Sequence, residues 1–161
     1  MKLTWFAMAS VLATSVAGLG LAGPAAATDD ITQNAVGTYD VLLGNQTTPT
    51  VFWAVDPCDD AADQCIKVSE FSSSDTARKK PRWTKNAYWT VGSWVMEPVD
   101  VARTCKDKTK YNLTLSNSWD AAANTGYRSY FEPGLCDGNE PHNVVSPLTL
   151  VRVGPPQSPA A

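Results

Sequence analysis

Histidine is almost absent from this chain: its 161 residues include a single one, His142. Histidine is the usual general base that activates a serine or cysteine nucleophile, so a catalytic triad could form around one position only. That position lies among turn residues, between Pro141 and Asn143, and the G-x-S-x-G nucleophile elbow does not occur. The sequence therefore predicts no catalytic residue of this type.

Nucleotide and metal motifs are missing as well. Neither the P-loop pattern nor G-x-G-x-x-G occurs, and a net charge of −3 gives no reason to expect nucleic acid as a partner. The acids Asp56, Asp59, Asp60 and Asp63 lack the alternation, central glycine and terminal glutamate of a calcium loop, so we interpret them as solvated turn residues. The cysteine spacing fits no standard zinc motif. We predict neither a cofactor nor a metal site.

A long apolar run occurs only at the start of the chain. Lys2 precedes apolar and small residues from Leu3 to Gly23, and Ala25-Ala26-Ala27 matches the small-x-small pattern of signal-peptide cleavage. A retained membrane anchor is the alternative, but glycines and Pro24 interrupt the run. We expect residues 1–27 to be a signal peptide cleaved after Ala27. The mature chain, with no later transmembrane segment, would then be secreted or located in the cell envelope.

Cysteine is scarce but even in number, and all four residues follow the predicted cleavage point. An even count in an exported chain indicates disulfides, and four cysteines allow three pairings. We favour Cys58–Cys65, which would flank a six-residue loop between two strands, and Cys105–Cys136. In the chain-entropy model, these closures would stabilise the fold by about 2.5 and about 3.7 kcal/mol.

Alternation of apolar and polar residues predicts an all-β fold. It is clearest from Tyr111 to Trp119, where Asn117 is the one polar residue on the apolar side. Helical periodicity never exceeds two turns. We predict a single β domain at 28–153, a disordered proline-rich tail at 154–161, and a meander that forms a lipocalin-like up-and-down barrel, with a β-sandwich as the alternative. The predicted strands are 37–43, 50–55, 66–71, 83–90, 94–101, 111–119, 127–132 and 144–153, the last interrupted by Pro147.

The segment from Arg78 to Trp94 is the candidate binding surface. It interleaves positive charge with aromatic rings, a composition suited to an anionic polymer, a lipid headgroup or a sugar ring. The alternative is a solvated loop followed by an edge strand that lysine protects from aggregation. The candidate binding residues are Arg78, Lys79, Lys80, Arg82, Trp83, Tyr88, Trp89 and Trp94.

Tryptophans and carboxylates leave two further functions open. The tryptophans of the mature chain could fill a core, or they could line a cavity that carries an apolar small molecule. Strand-borne acids such as Glu97, Asp100 and Glu132 could meet across a sheet and hydrolyse a glycosidic bond in an envelope polymer. We favour core filling and solvated strand ends, and hence a non-enzymatic domain that binds an envelope polymer, a lipid, or a host or partner protein.

The order of short motifs also carries a resemblance. Gly37-Thr38-Tyr39 resembles the G-x-W opening of lipocalin-like barrels, with tyrosine in place of tryptophan. The longer series runs from that opening through W-x-V, C-x6-C and Arg103-Thr104-Cys105 to the stretch 148–154. It resembles small exported proteins and domains of mycobacteria and related actinobacteria that have no assigned activity. The resemblance implies an envelope or culture-filtrate protein with two disulfides, and it transfers no catalytic residue.

Overall fold

The computed structural model of the protein describes residues 24–59, 62–75, 77–136 and 138–155, with the backbone alone at 24–29. These ranges contain one helix and nine strands. In chain order they are α1 (Pro24–Ala35), β1 (Gly37–Leu43), β2 (Val51–Pro57), β3 (Cys65–Ser72), β4 (Trp83–Thr90), β5 (Ser93–Met96), β6 (Val99–Thr104), β7 (Lys110–Asp120), β8 (Thr125–Glu132) and β9 (His142–Gly154).

Eight of the strands close into an antiparallel barrel. Consecutive strands pair from β1 to β5, β5 pairs with β7, and β9 returns to pair with β1 after β7 and β8. The ninth strand, β6, pairs with β7 beside the closed ring. The predicted all-β barrel is therefore confirmed. The alternative of a β-sandwich is wrong, because the β1–β9 pairing joins the first strand to the last.

The predicted strand 94–101 is divided in two by Glu97 and Pro98. Proline has no backbone N–H to donate to a ladder, and the register to β7 shifts by one residue between β5 and β6, as in a β-bulge. Beside β4, the Glu97 side chain supplies the acceptor that a continued strand would have provided: the backbone N–H of Asn86 donates to its carboxylate at 3.3 Å. As a result, β6 leaves the edge of β4 and continues along β7 only.

The last strand, in contrast, runs unbroken through Pro147, where we predicted an interruption. The carbonyl of Pro147 points towards β1 and accepts a hydrogen bond from Gly44, the residue after the end of β1. Because backbone N and C=O of one residue point the same way in an antiparallel strand, the missing N–H of this proline faces Gly44, just beyond the end of β1, and not β8. The β8–β9 ladder therefore loses no hydrogen bond at Pro147.

The helix α1 closes one end of the barrel, which we call the helix end. Sequence periodicity predicted no helix longer than two turns, and this was wrong: α1 has 12 residues. Ile31 and Ala35 pack against the core, the Tyr39 hydroxyl donates to the carbonyl of Ala35 at 2.8 Å, and the Arg152 guanidinium donates to the carbonyl of Val36. In the described part of the chain, no helix has the length and apolar character needed to cross a bilayer.

Two disulfides brace the loops at opposite ends. Cys58–Cys65 joins the end of β2 to the start of β3 at the helix end, and Cys105–Cys136 joins the end of β6 to the segment after β8 at the other end. Both predicted pairings are confirmed. Each bridge closes a loop of the chain. Because the bridge persists when the protein unfolds, it limits the conformational freedom of the unfolded chain.

The interior of the barrel is packed with large side chains. Trp53 and Trp94 are fully buried, and the Trp53 ring contacts those of Trp83 and Trp119 at centroid distances of 6.0 and 5.3 Å. Aliphatic side chains from most strands fill the remaining space. The largest fully buried members are Ile66, Leu148, Val41, Val55, Val68 and Val99.

A charged network lies inside this apolar core. The Glu70 carboxylate is 2% exposed and accepts hydrogen bonds from the indole N–H groups of Trp53 and Trp83, both at 3.1 Å. Arg128 donates from Nη2 to the same carboxylate at 2.8 Å and from Nε to Asn117 Oδ1 at 2.8 Å. The two opposite charges and the indole donors together offset the desolvation of burying an ion pair.

This network explains the polar residue that interrupts the apolar side of β7. Asn117 is buried because it orients the Arg128 guanidinium from the neighbouring strand, directly opposite in register. Its Nδ2 is the one buried side-chain nitrogen or oxygen without a partner in the described ranges. Breaking such a network from one side is costly, because it leaves a charge without a counter-charge in the core.

We therefore predict that Glu70→Gln lowers the free energy of unfolding by about 3–5 kcal/mol, because Arg128 loses its counter-charge. Urea denaturation followed by tryptophan fluorescence measures this change. The double variant Glu70→Gln/Arg128→Met should recover part of the loss, since no buried charge then remains unpaired. Glu140→Gln, at an exposed position, is the control. A cost below about 1 kcal/mol for Glu70→Gln would contradict the prediction.

Candidate functional site

The basic residues of the predicted binding segment lie in different environments. The Arg78 guanidinium lies 4.7 Å from the centre of the Phe52 ring and donates to Thr38 on the outside of the barrel. Lys79 and Lys80 are exposed, and their backbone N–H groups donate to the carboxylate of Asp75. These three residues therefore belong to a loop that folds back on the barrel wall.

Arg82 lies beside the charged network of the core. It is exposed, and its Nη1 lies 3.4 Å from Glu70 Oε1. The guanidinium thus lies next to the buried carboxylate, at the end of the barrel opposite α1, which we call the loop end. Because Glu70 partly compensates the positive charge of Arg82, Arg82 attracts an anionic ligand less strongly.

The aromatic part of the segment points in different directions. Trp83 and Trp94 face the interior and are buried, Trp89 is half-buried at the helix end, and Tyr88 faces solvent. Alternation along β4 produces this separation, because successive side chains leave a strand on opposite faces. The two ends of this eight-residue strand are about 23 Å apart, so the basic groups and Trp89 do not share one surface.

Two tryptophan-lined spaces at the helix end bear on the carrier hypothesis. An enclosed cavity of about 10 Å³ lies under α1, lined by Tyr39, Ile66, Trp94, Trp119 and other residues. That volume suits one water molecule, whereas pockets for small ligands measure about 300–1,000 Å³. The other space, of about 320 Å³, is an open surface groove beside α1, lined by Ile31, Asn34, Ala35, Trp89, Trp94, Ala121 and Ala122. Trp94 and Trp119 are buried members of the core.

The three acids of the hydrolase hypothesis are each engaged in a structural contact. Glu97 accepts from Asn86 and from the Tyr88 hydroxyl, and Asp100 accepts from the Thr114 hydroxyl at 2.6 Å on the outer surface. Glu132 accepts from Tyr111 and Arg103 at the loop end. The Asp100 side chain is exposed on the outer side of β6, whereas the Glu132 side chain is buried on the inner side of β8. The two carboxylates therefore lie on opposite sides of the sheet.

Glu132 is held as a carboxylate by its neighbours. The hydrogen bond from the Tyr111 hydroxyl, at 2.7 Å, is the main cause that lowers the pKa of Glu132 below its ordinary value. Desolvation opposes this, while the backbone N–H of Gly134 and the charges of Arg103 and His142 lower the pKa further. A general acid needs a raised pKa instead. This cluster therefore ties β6, β7 and β8 together near the Cys105–Cys136 bridge.

The acidic loop between β2 and β3 also forms internal contacts. Asp59 pairs with the ammonium group of Lys67, while Asp60 lies outside the described residues. The pKa of Asp56 is raised above its ordinary value, mainly by burial. The charge of Lys67 opposes this shift, and the charge of Asp59 adds to it. Among the residues that the structure describes, no group of three or more His, Cys, Asp or Glu side chains is arranged to hold a metal ion.

A different surface combines exposed aromatic rings with hydroxyl and amide groups. It lies on the outer face of β7, β8 and β9, and we call it the polar–aromatic face. In β8, Tyr127 and Phe131 point outward and are 59% and 55% exposed. Val145 on β9 is 60% exposed. The face is completed by Thr114, Ser116, Ser118, Thr125, Ser129, Asn143, Pro147 and Thr149.

Strand register arranges these residues in rows across the three strands. Ser118 lies opposite Tyr127, which lies opposite Pro147. The next row joins Ser116, Ser129 and Val145. Phe131 lies opposite Asn143 in the row beyond. Because the register is fixed by continuous ladders, these side chains hold constant spacings rather than the variable spacings of a loop.

Two shallow grooves follow this face. One, of about 320 Å³, is lined by Thr125, Gly126, Tyr127, Pro147, Leu148 and Thr149. The other, of about 390 Å³, is lined by Thr114, Ser116, Ser129, Tyr130, Phe131, Asn143 and Val145. In the part of the chain that the structure describes, no lysine, arginine, aspartate or glutamate lines either groove, although Asp100 borders the second through Thr114.

Sequence reasoning did not single out the polar–aromatic face. The alternation along β7 was recognised, and it placed Thr114, Ser116 and Ser118 on the solvent side. The predicted meander made β7, β8 and β9 neighbours, but it could not supply the register that groups these residues with Tyr127 and Phe131. The available signal was the pair of aromatic residues four positions apart on the side of β8 opposite to the buried Arg128.

The cluster at Glu132 predicts a dependence of stability on pH. Because its folded pKa is lowered, its stabilisation is present above the unfolded value of about 4.3 and is lost as pH falls through the folded pKa. Tyr111→Phe removes the main cause, so this variant should lose less stability than the wild type between neutral pH and about pH 3. Urea midpoints against pH measure the difference. Tyr127→Phe is the control, and identical profiles for Tyr111→Phe and wild type would show that the hydrogen bond does not act this way.

In comparisons with known proteins, no protein-family model, no curated protein and no solved structure matched the chain. The proposals that follow therefore rest on the residues and geometry described above.

Proposed function

We propose that the protein is a non-enzymatic binding domain that acts outside the cell or in the cell envelope, and that it binds through the polar–aromatic face. The signal-peptide pattern at residues 1–27 and the two disulfides support export. The partner is an envelope polymer, a lipid or another protein. The next two features favour this face over the Arg78–Trp94 segment.

The exposure of Tyr127 and Phe131 carries the proposal. Each is more than half exposed, although a large aromatic side chain is usually among the first to be buried in a small domain. Two such residues on one side of one strand, next to Val145, form an apolar group surrounded by hydroxyl and amide groups. Exposed apolar patches with a polar rim are typical of interaction sites.

The rigidity of this surface also favours binding. All of its residues lie on ladder-paired strands or directly at their ends, and both sides of β8 are paired over part of its length. A pre-arranged surface loses little conformational entropy when a partner binds, so more of the contact free energy appears as affinity. The loop that carries Arg78, Lys79 and Lys80 is not part of a ladder, and of these three side chains Arg78 is the one that contacts the barrel wall, at Phe52 and Thr38.

The proposal predicts that Tyr127→Ser/Phe131→Ser lowers binding to isolated cell envelopes of the encoding organism by at least about tenfold, as expected when central aromatic contacts are lost. Co-sedimentation of the purified, oxidised protein with the envelopes measures the bound fraction. Both substitutions are at exposed positions, so circular dichroism and the urea midpoint should remain close to wild type.

A double variant on another part of the molecule, Tyr88→Ser/Val91→Ser, provides the control. Both residues are also exposed; Tyr88 lies on β4, three strands away round the barrel from β8, and Val91 lies in the turn after β4. Binding should be retained in the control. If the control loses binding while Tyr127→Ser/Phe131→Ser keeps it, the binding surface lies near β4 instead and the proposal is wrong.

A further inference from the structure

We infer that the partner of the polar–aromatic face is an uncharged polysaccharide chain that lies along β8 and occupies both grooves. This inference rests on the proposed function and specifies its ligand class. It is drawn from three properties of the face, namely its lack of charge, its combination of rings with hydroxyl groups, and its length.

The lack of charge excludes the polyanions that the sequence first indicated. Among the described residues, no arginine or lysine lines either groove, and Asp100, which borders the second groove through Thr114, is negative and would repel an anionic chain. Recognition of phosphate or carboxylate groups needs cationic side chains or helix N-termini at the contact. An uncharged ligand loses no ionic hydration when it reaches this face and needs no counter-charge there.

The chemistry of the side chains fits sugars. A pyranose or furanose ring has apolar C–H faces and a periphery of hydroxyl groups, so it is complemented by a flat aromatic side chain beside hydrogen-bonding groups. Tyr127 and Phe131 supply the rings. Serine and threonine hydroxyls both donate and accept, and the Asn143 amide does both as well, which matches the mixed character of sugar hydroxyls.

The length of the face indicates a chain rather than a single sugar. Tyr127 and Phe131 are four residues apart on one side of β8, which corresponds to about 13 Å. Each belongs to a different groove, and Ser129 lies between them in the strand. A monosaccharide could contact one ring only, whereas an unbranched oligosaccharide could stack on both and bridge the hydroxyl-rich row between them.

Other occupants of an exposed sheet face make different demands. A second copy of the chain would bring two identical faces together, so the exposed rings would be buried against each other. A lipid surface would need a continuous apolar area or basic residues, whereas here every row across the strands contains a serine, threonine or asparagine. These occupants remain outcomes of the experiment.

The test uses isothermal titration calorimetry of the intact oxidised protein against neutral glucan, galactan, mannan and arabinan oligosaccharides, from the disaccharide upwards. Affinity should rise with chain length until both grooves are spanned and then level off. Tyr127→Ala and Phe131→Ala should each weaken binding by about tenfold. Phe131→Trp, which keeps a stacking ring, should retain it. Added salt should change the affinity little, because no ion pair forms.

The outcomes separate this inference from the proposed function. If the envelope binding described above depends on Tyr127 and Phe131 but no neutral oligosaccharide competes with it, the ligand class is wrong and the binding face stands. If hyaluronan, an anionic chain, binds more tightly than the neutral ladders and does so in a salt-dependent way, the inference also fails. A concentration-dependent dimer that Tyr127→Ser abolishes, measured by analytical ultracentrifugation, would assign the face to a second copy and overturn the inference.

Discussion

Closure of the sheet between β1 and β9 is the constraint on which the rest of the molecule depends. Once the first and last strands pair, every strand of the ring has one side facing an enclosed space and the other facing solvent. In a small eight-stranded barrel, this enclosed space is just large enough to be filled by side chains, and here tryptophan and aliphatic residues fill it. The surfaces open to a partner are therefore the outer wall and the two ends.

The buried network around Glu70 makes closure specific. Its members come from β2, β3, β4, β7 and β8, so the network joins strands that the backbone ladders connect only through intermediate neighbours. An apolar core of the same volume could be as stable, but it would tolerate changes of register more easily. A carboxylate that needs two indole donors and one guanidinium has few acceptable positions. We therefore interpret it as a device that fixes which strand positions face one another.

Local patterns were sufficient to predict the strands and the disulfides. Alternation marked β7 and β8 because one side of each is in the core, and the short loop between Cys58 and Cys65 favoured their pairing. The helix α1 was missed because it contacts the core through few residues, chiefly Ile31 and Ala35, and so leaves little periodic signal. The division at Pro98 was missed because a strand with a bulge keeps its alternation on each side of the break.

The candidate site was harder to predict for a physical reason. Composition pointed to Arg78–Trp94 because charge and aromatic residues are adjacent in sequence there. Adjacency along a strand sends successive side chains to opposite faces, so a mixed segment is divided when it folds into β4. The polar–aromatic face arises in the reverse way, from residues that are distant in sequence and become neighbours through the β7–β8–β9 register. A surface built by register is visible only once the residue-by-residue pairing of the strands is known.

The same architecture explains how an exposed apolar group can be tolerated on a domain of this kind. Sheet proteins aggregate most readily through free edges, and closure leaves β6 as the one described strand that pairs with a single neighbour. That strand is short, begins after Pro98, and carries Asp100 and Arg103, which are features that discourage edge pairing. With its edges protected, the barrel can leave Tyr127 and Phe131 uncovered on its wall, where they are available to a ligand that lies along β8 on the outer face rather than one that extends the edge of the sheet.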